Sequence, residues 1–174
     1  MKPHLLIVTG RPGAGKTTFA KELSKEIWMP VISRDHIKEG YVHTQSKSHK
    51  ELPMETNGLV NEVFFDTLMR LIDGGVSVIA EAAFQHKLWS AMLEKFMDKA
   101  DLRVFICTVD DDVAHKRFLA RKAENKEREY FHGDNIAVVG EYDAPKLDVP
   151  TIFVDTVDGY NPCIKDLTQF LKKL

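Results

Sequence analysis

Apolar residues in this chain come in short unbroken runs, separated by longer stretches in which they recur every three or four positions. Leu5-Leu6-Ile7-Val8 is the first run, the pattern of a strand covered on both faces of a parallel sheet. Ala20, Leu23, Ser24 and Ile27 follow at helical spacing, so a loop joins that strand to a helix. Pro30-Val31-Ile32-Ser33 reads as a short second strand. Val60, Val63, Phe64, Thr67, Leu68 and Leu71 mark an amphipathic helix that Asp73-Gly74-Gly75 stops. Val76 to Ala80 is a third strand, Trp89, Met92, Leu93 and Phe96 outline another helix, and Leu102 to Val109 is a fourth strand. Asp110, Asp111 and Asp112 supply cap and first-turn carboxylates for a helix running through Arg121. Thr151 to Val154 is a fifth strand, and Asn161-Pro162 offers an N-cap and first-turn pair for a last helix. Strands alternating with helices predict an α/β fold, with a five-stranded, mainly parallel sheet and ligands at the carboxyl ends of its strands.

Composition narrows the class. With 174 residues, 44% of them hydrophobic, the chain is expected to form one domain over 1–174. A formal net charge of -2 gives no global field for nucleic acid or an anionic membrane. The start, Met1-Lys2-Pro3-His4, leads straight into a strand and leaves no room for a signal peptide, and no apolar run approaches a membrane span. A cytoplasmic enzyme is the expectation. Cys107 and Cys163 stand far apart, so neither a disulfide framework nor a zinc site is suggested.

The candidate chemistry starts in the first loop. Gly10, Arg11, Pro12, Gly13, Ala14, Gly15, Lys16 and Thr17 spell G-x-x-x-x-G-K-[ST], followed by Thr18. The glycines let the backbone curl with its N–H groups inward, and the helix start adds a positive dipole end, which favours phosphates. Lys16 would reach the β- and γ-phosphates and Thr17 would ligate magnesium. The fold class implied is that of a P-loop NTPase, three-layered, binding a nucleoside triphosphate.

Three other segments fall at the same end of such a sheet. Asp35, in Ser33-Arg34-Asp35-His36-Ile37-Lys38, is a candidate base for an attacking hydroxyl or a holder of a magnesium-bound water. The alternative, compatible with the first, is that Asp35 caps a short helix over Ile37 and Lys38. Glu81 closes the third strand, where it would orient magnesium through water, hold a basic substrate-binding side chain, or form a structural ion pair. Arg117 and Arg121, four apart, share a helix face with Ala114 and Phe118 and are candidates for stabilising the transferring phosphoryl group. The charged run over about 122–135 has the composition of a short lid that closes over nucleotide. Tyr41 to Asn57 reads as a polar loop placed to contact the acceptor.

Taken together, the phosphate loop, Ser-Arg-Asp-x-Ile-Lys after the second strand, Gly-Val-x-Val-Ile-x-Glu-Ala-x-Phe at the third, Arg-x-x-x-Arg before a polar lid, and Val154-Asp155-Thr156 after the last strand resemble the predicted ATP-dependent P-loop kinases. That group lies near polynucleotide 5′-hydroxyl kinase, chloramphenicol phosphotransferase and the zeta-type toxin kinases. The resemblance implies that Asp35 activates the acceptor, Lys38 contacts it, Glu81 is an acidic partner and Arg121 is the lid arginine on the donor phosphates. It also implies that Asp155 and Thr156 lie near the adenine. Polynucleotide kinases carry arginine where this chain has Lys38, and lysine lacks the planar fork that grips a phosphate, so a small-molecule acceptor is favoured over a nucleic-acid end. The expected function is transfer of the γ-phosphate of ATP, with Mg2+, to a hydroxyl. The alternatives are an ATPase or a nucleotide-dependent switch. A GTP-type switch is disfavoured because no D-x-x-G occurs and Asn125-Lys126-Glu127-Arg128 lacks the closing aspartate.

Overall fold

A computed structural model describes residues 1–125, 127–133 and 142–172. Its strands are β1 (His4–Gly10), β2 (Val31–Ser33), β3 (Val78–Glu81), β4 (Asp101–Thr108) and β5 (Thr151–Asp155). They form one sheet in the order β2-β3-β1-β4-β5, and every pairing is parallel. The helices are α1 (Lys16–Ile27), α2 (Arg34–Gln45), α3 (Thr56–Asp73), α4 (His86–Glu94), α5 (Asp111–Glu124), α6 (Arg128–His132) and α7 (Ile164–Lys172).

Alternation along the central strands divides the core in two. Leu5 and Ile7 of β1, with Val104 and Ile106 of β4, pack against Phe64, Phe65 and Leu68 of α3 and Trp89 and Leu93 of α4. Leu6 and Val8, with Phe105 and Cys107, pack against Phe19 and Leu23 of α1 and Leu167 of α7. These are the two faces of a three-layer sandwich, and they explain why β1 reads as continuously apolar: both of its faces are covered. Phe65, Phe84 and Trp89 form a ring cluster on the first face, with centroids 5.2 to 6.5 Å apart.

Three sequence expectations are corrected here. The stretch from Tyr41 is not loop from its start: α2 continues to Gln45, a 3-10 turn spans His49–Glu51, and α3 begins at Thr56. Only Lys38 and Val42 of α2 are buried, so the helix lacks the apolar stripe that announces one. Asn161 does not start the last helix. It bridges back to Asp155, the two backbones exchanging bonds of 2.9 and 3.0 Å, and α7 begins at Ile164. Asp35 does not cap α2, since Ser33 holds the N-cap position and Asp35 sits inside the first turn. Among the described residues, no helix is long and apolar enough to cross a membrane.

Candidate functional site

The site is built at the carboxyl ends of the strands, on the loop between β1 and α1. Gly10 and Gly13 have positive φ, at 148° and 84°, and each lies against another backbone. A Cβ on Gly10 would stand 2.5 Å from the Cys107 carbonyl oxygen, and one on Gly13 would stand 2.3 Å from that of Ala114. No other residue fits such contacts. Gly15 occupies the N-cap position of α1 in the left-handed region, so the chain turns out of the loop directly into Lys16 and the helix start. Arg11 forms an ion pair with Asp111, fastening the loop to the start of α5.

Lys16 donates from Nζ to the Arg11 carbonyl at 3.0 Å, across the mouth of the loop. Burial holds its pKa below the usual lysine value, with Glu81 and Asp35 opposing that effect. Thr17 donates to Glu81 Oε1 at 3.3 Å, and Ser33 to Glu81 Oε2 at 2.6 Å. Glu81 is therefore a buried carboxylate clasped by two hydroxyls, one from α1 and one from β2. Such an all-oxygen group is the donor type that hard divalent cations take.

A cleft of about 350 Å³ opens above this group and brings together Lys16, Thr17, Asp35, Lys38, Glu81 and Arg121. Pro12, Phe118, Arg128 and His132 also line it. Burial pushes the Asp35 carboxyl up, but His132, Arg34, Lys16 and Arg128 outweigh it, and the net direction is down. Asp35 is thus an ionised carboxylate in a positive field. Arg121 lies on the cleft wall with its guanidinium carbon 5.9 Å from the Phe118 ring centre.

Lys38 is buried and donates to the His132 carbonyl at 3.2 Å, while His132 Nε2 lies 2.8 Å from Glu39 Oε1. Lys50 and Glu129 add an ion pair at 2.5 Å. The segment expected to form a lid holds the end of α5 and α6, which meets α2 and the 3-10 turn through these polar contacts; residues 126, 134 and 135 of it lie outside the described residues.

Arg117 is not in the cleft. It donates to Thr156 Oγ1 at 3.2 Å, to the Thr156 carbonyl at 2.8 Å and to the Val157 carbonyl at 3.0 Å. Thr156 Oγ1 lies 3.1 Å from the Ala14 carbonyl oxygen, which ties the turn after β5 to the phosphate-type loop. Asp155 is exposed, and its Oδ1 accepts from the Val157 N–H at 2.8 Å. Sequence reasoning did not single out Arg34, Arg128 and His132, which complete the cleft.

A family model described as an AAA domain matches residues 5–139. No curated protein matches the chain. Among solved structures, the chain is similar to a candidate kinase from Chloroflexus aurantiacus j-10-fl, at 23% identity and a TM-score of 0.85, covering 99% of this chain and 98% of the other. It is similar to a sugar kinase from Janibacter sp. HTCC2649, at 16% identity and a TM-score of 0.68, over 98% and 95% of the two chains. It also resembles the APS kinase of Mycobacterium tuberculosis, solved with AMPPNP and APS, at 16% identity and a TM-score of 0.67, over 99% of both chains. At these identities the likeness is one of fold, whereas the family model spans well over half of the sequence. The chain belongs to the AAA domain family and has a P-loop kinase-like fold.

Proposed function

We propose that this chain is a kinase that transfers the γ-phosphate of ATP to a hydroxyl group of a small molecule. The observation that carries this reading is the shared cleft, where an ionised Asp35 faces the same space as Lys16 and the Thr17–Glu81 pair. A phosphate-binding loop alone would serve a switch or an ATPase equally well. A carboxylate across the cleft from it is what an attacking hydroxyl needs.

The residues suit the groups they would hold. The glycine loop from Gly10 to Gly15 and the start of α1 offer backbone N–H groups and a positive helix end to the donor phosphates. Thr17 and Glu81 would hold magnesium, Thr17 by its hydroxyl and Glu81 through water or by fixing that hydroxyl. Magnesium, when bound, neutralises charge on the β- and γ-phosphates. Lys16 follows the charge on the β- and γ-oxygens, and Arg121 reaches the donor phosphates from the lid side. Asp35 accepts the acceptor hydroxyl proton as the oxygen attacks phosphorus. Arg117 acts at one remove: it holds Thr156 against the loop, where Asp155 and Thr156 would border the adenine.

The test is transfer of label from γ-labelled ATP with magnesium, offered a small-metabolite extract in one reaction and 5′-hydroxyl oligonucleotides in another. Label on a metabolite is the expected result, and its mass would identify the acceptor. Label on the oligonucleotide would move the acceptor to a nucleic-acid end, and label only as free phosphate would overturn the kinase reading in favour of an ATPase.

A further inference from the structure

Among the described residues, Lys16, Arg34, Lys38, Arg121 and Arg128 line the cleft against only two carboxylates, Asp35 and Glu81. Lys16 and Arg121 serve the donor in the reading above. Arg34 also lines the cleft, in the first turn of α2 beside Asp35, and its side chain is only 15% exposed.

The partners of Arg34 are unusual for an arginine that is mostly covered. Nε donates to Asn61 Oδ1 at 3.0 Å and Nη2 to Asn57 Oδ1 at 2.9 Å, both from α3. A structural arginine at this depth is ordinarily matched with a carboxylate, because burial of an uncompensated cation is costly. Here two neutral amides fix the plane of the guanidinium and add no charge of their own. The carboxylate paired with it, Asp35 Oδ1, is 3.8 Å from Nη1, beyond hydrogen-bond distance and assigned to the acceptor hydroxyl. A guanidinium held flat, charged and facing a cleft is the arrangement that grips a phosphate or carboxylate through two N–H groups.

We propose that the acceptor is a small molecule carrying a phosphate or carboxylate group as well as its hydroxyl, and that Arg34 binds that anionic group. This rests on the kinase reading above and adds the acceptor's charge to it. Lys38 and Arg128 line the same cleft. A volume of about 350 Å³, shared with the donor's terminal phosphates, limits the acceptor to a compact molecule. The depressed Asp35 carboxyl, on which His132, Arg34 and Arg128 act together, is consistent with a strong positive potential in this half of the cleft.

The experiment uses the full chain with magnesium and a saturating non-hydrolysable ATP analogue, followed by melting temperature. Glycerol, glycerol 3-phosphate and glycerate are then added as probes of matched skeleton. The analogue is expected to raise the melting temperature, and at least one anionic probe to raise it further in a saturable way, while glycerol does not. The two anionic arms distinguish phosphate from carboxylate. Arg34→Gln should keep the first increment and weaken the probe by roughly ten- to a hundredfold, the effect of losing charged hydrogen bonds. Asn61→Asp gives a second, independent reading: a carboxylate set on Nε would hold Arg34 at least as firmly yet cancel its charge, so anion binding falls while the fold is kept. A merely structural Arg34 would leave anion binding unchanged in Asn61→Asp. Equal shifts with glycerol, no shift with either anion, or an anion shift unaltered in both variants would overturn the proposal. Absence of the first increment would instead overturn the kinase reading on which it rests.

Discussion

Ser33 and Glu81 are register partners at the carboxyl ends of β2 and β3, and the Ser33 hydroxyl donates to Glu81 Oε2 at 2.6 Å. The sheet itself therefore aligns the carboxylate that Thr17 also reaches. Glu81→Ala would leave two hydroxyls without their acceptor in a buried setting, and should lower stability to urea by about 1–3 kcal/mol. It should also raise the magnesium concentration for half-maximal phosphoryl transfer by roughly 10- to 100-fold, the usual effect of losing a group that orients a metal ligand. Unchanged magnesium dependence would confine Glu81 to a structural role.

Asp35 is expected to work as a base without needing alkaline conditions. Burial acts upward on its carboxyl, but the surrounding cations prevail and hold it below the ordinary aspartate value. It is then ionised at neutral pH, and the acid limb of the rate profile should fall below the usual carboxylate range. Asp35→Asn should retain nucleotide-dependent stabilisation while transfer drops by roughly 10²- to 10⁴-fold. Transfer rates across pH 3 to 8, with melting curves in nucleotide, check both statements. Retained turnover would remove Asp35 from the chemistry.

Arg117 and Arg121 illustrate how far the chain could be read before folding. Their spacing places both on one face of α5, yet one guanidinium goes to the turn after β5 and the other to the cleft. Helical periodicity locates a Cα and says little about where a long side chain ends. The strands were legible because burial on both faces leaves an unbroken apolar run, and the phosphate loop because its glycines are demanded by backbone contacts. The order β2-β3-β1-β4-β5 was not, since it depends on pairings between distant segments. Nor was the Arg34–Asn61 contact, whose partners lie on two helices with a 3-10 turn between them.

Arg117→Met should weaken nucleotide binding by roughly tenfold, the effect of losing about 1.4 kcal/mol, because the turn bearing Thr156 and Val157 would no longer be held against the loop. Calorimetric titration with ATP measures it. The pH profile of transfer should not move, because Arg117 does not face Asp35. A shifted profile would return Arg117 to the reaction centre.

Far from the cleft, at the other end of the sheet, the fully buried Arg103 donates from Nη2 to Asp101 Oδ2 at 2.8 Å. That hydrogen bond is the main reason the Asp101 carboxyl lies below its ordinary value; burial opposes it, and the Arg103 and His4 charges assist. A carboxyl with a depressed folded-state pKa contributes stability in full above its unfolded value, and the contribution is lost as pH falls through the folded one. Urea stability should therefore decline below about pH 4. Asp101→Asn should flatten that acid dependence and cost about 1–3 kcal/mol at neutral pH. An unchanged acid profile would exclude Asp101 as its source.

The strand pairing that sets Gly10 beside Cys107 makes the phosphate loop answerable to chemistry at sulfur. Cys107 is only 2% exposed and its thiol is pushed up to about 12 by burial, whereas Cys163 is exposed. An alkylating reagent meets Cys163 at once and Cys107 only when β4 parts from the loop. Because that opening also dismantles the nucleotide site, ATP should slow labelling of Cys107 and leave Cys163 unaffected, so one residue times the opening and the other serves as its internal standard.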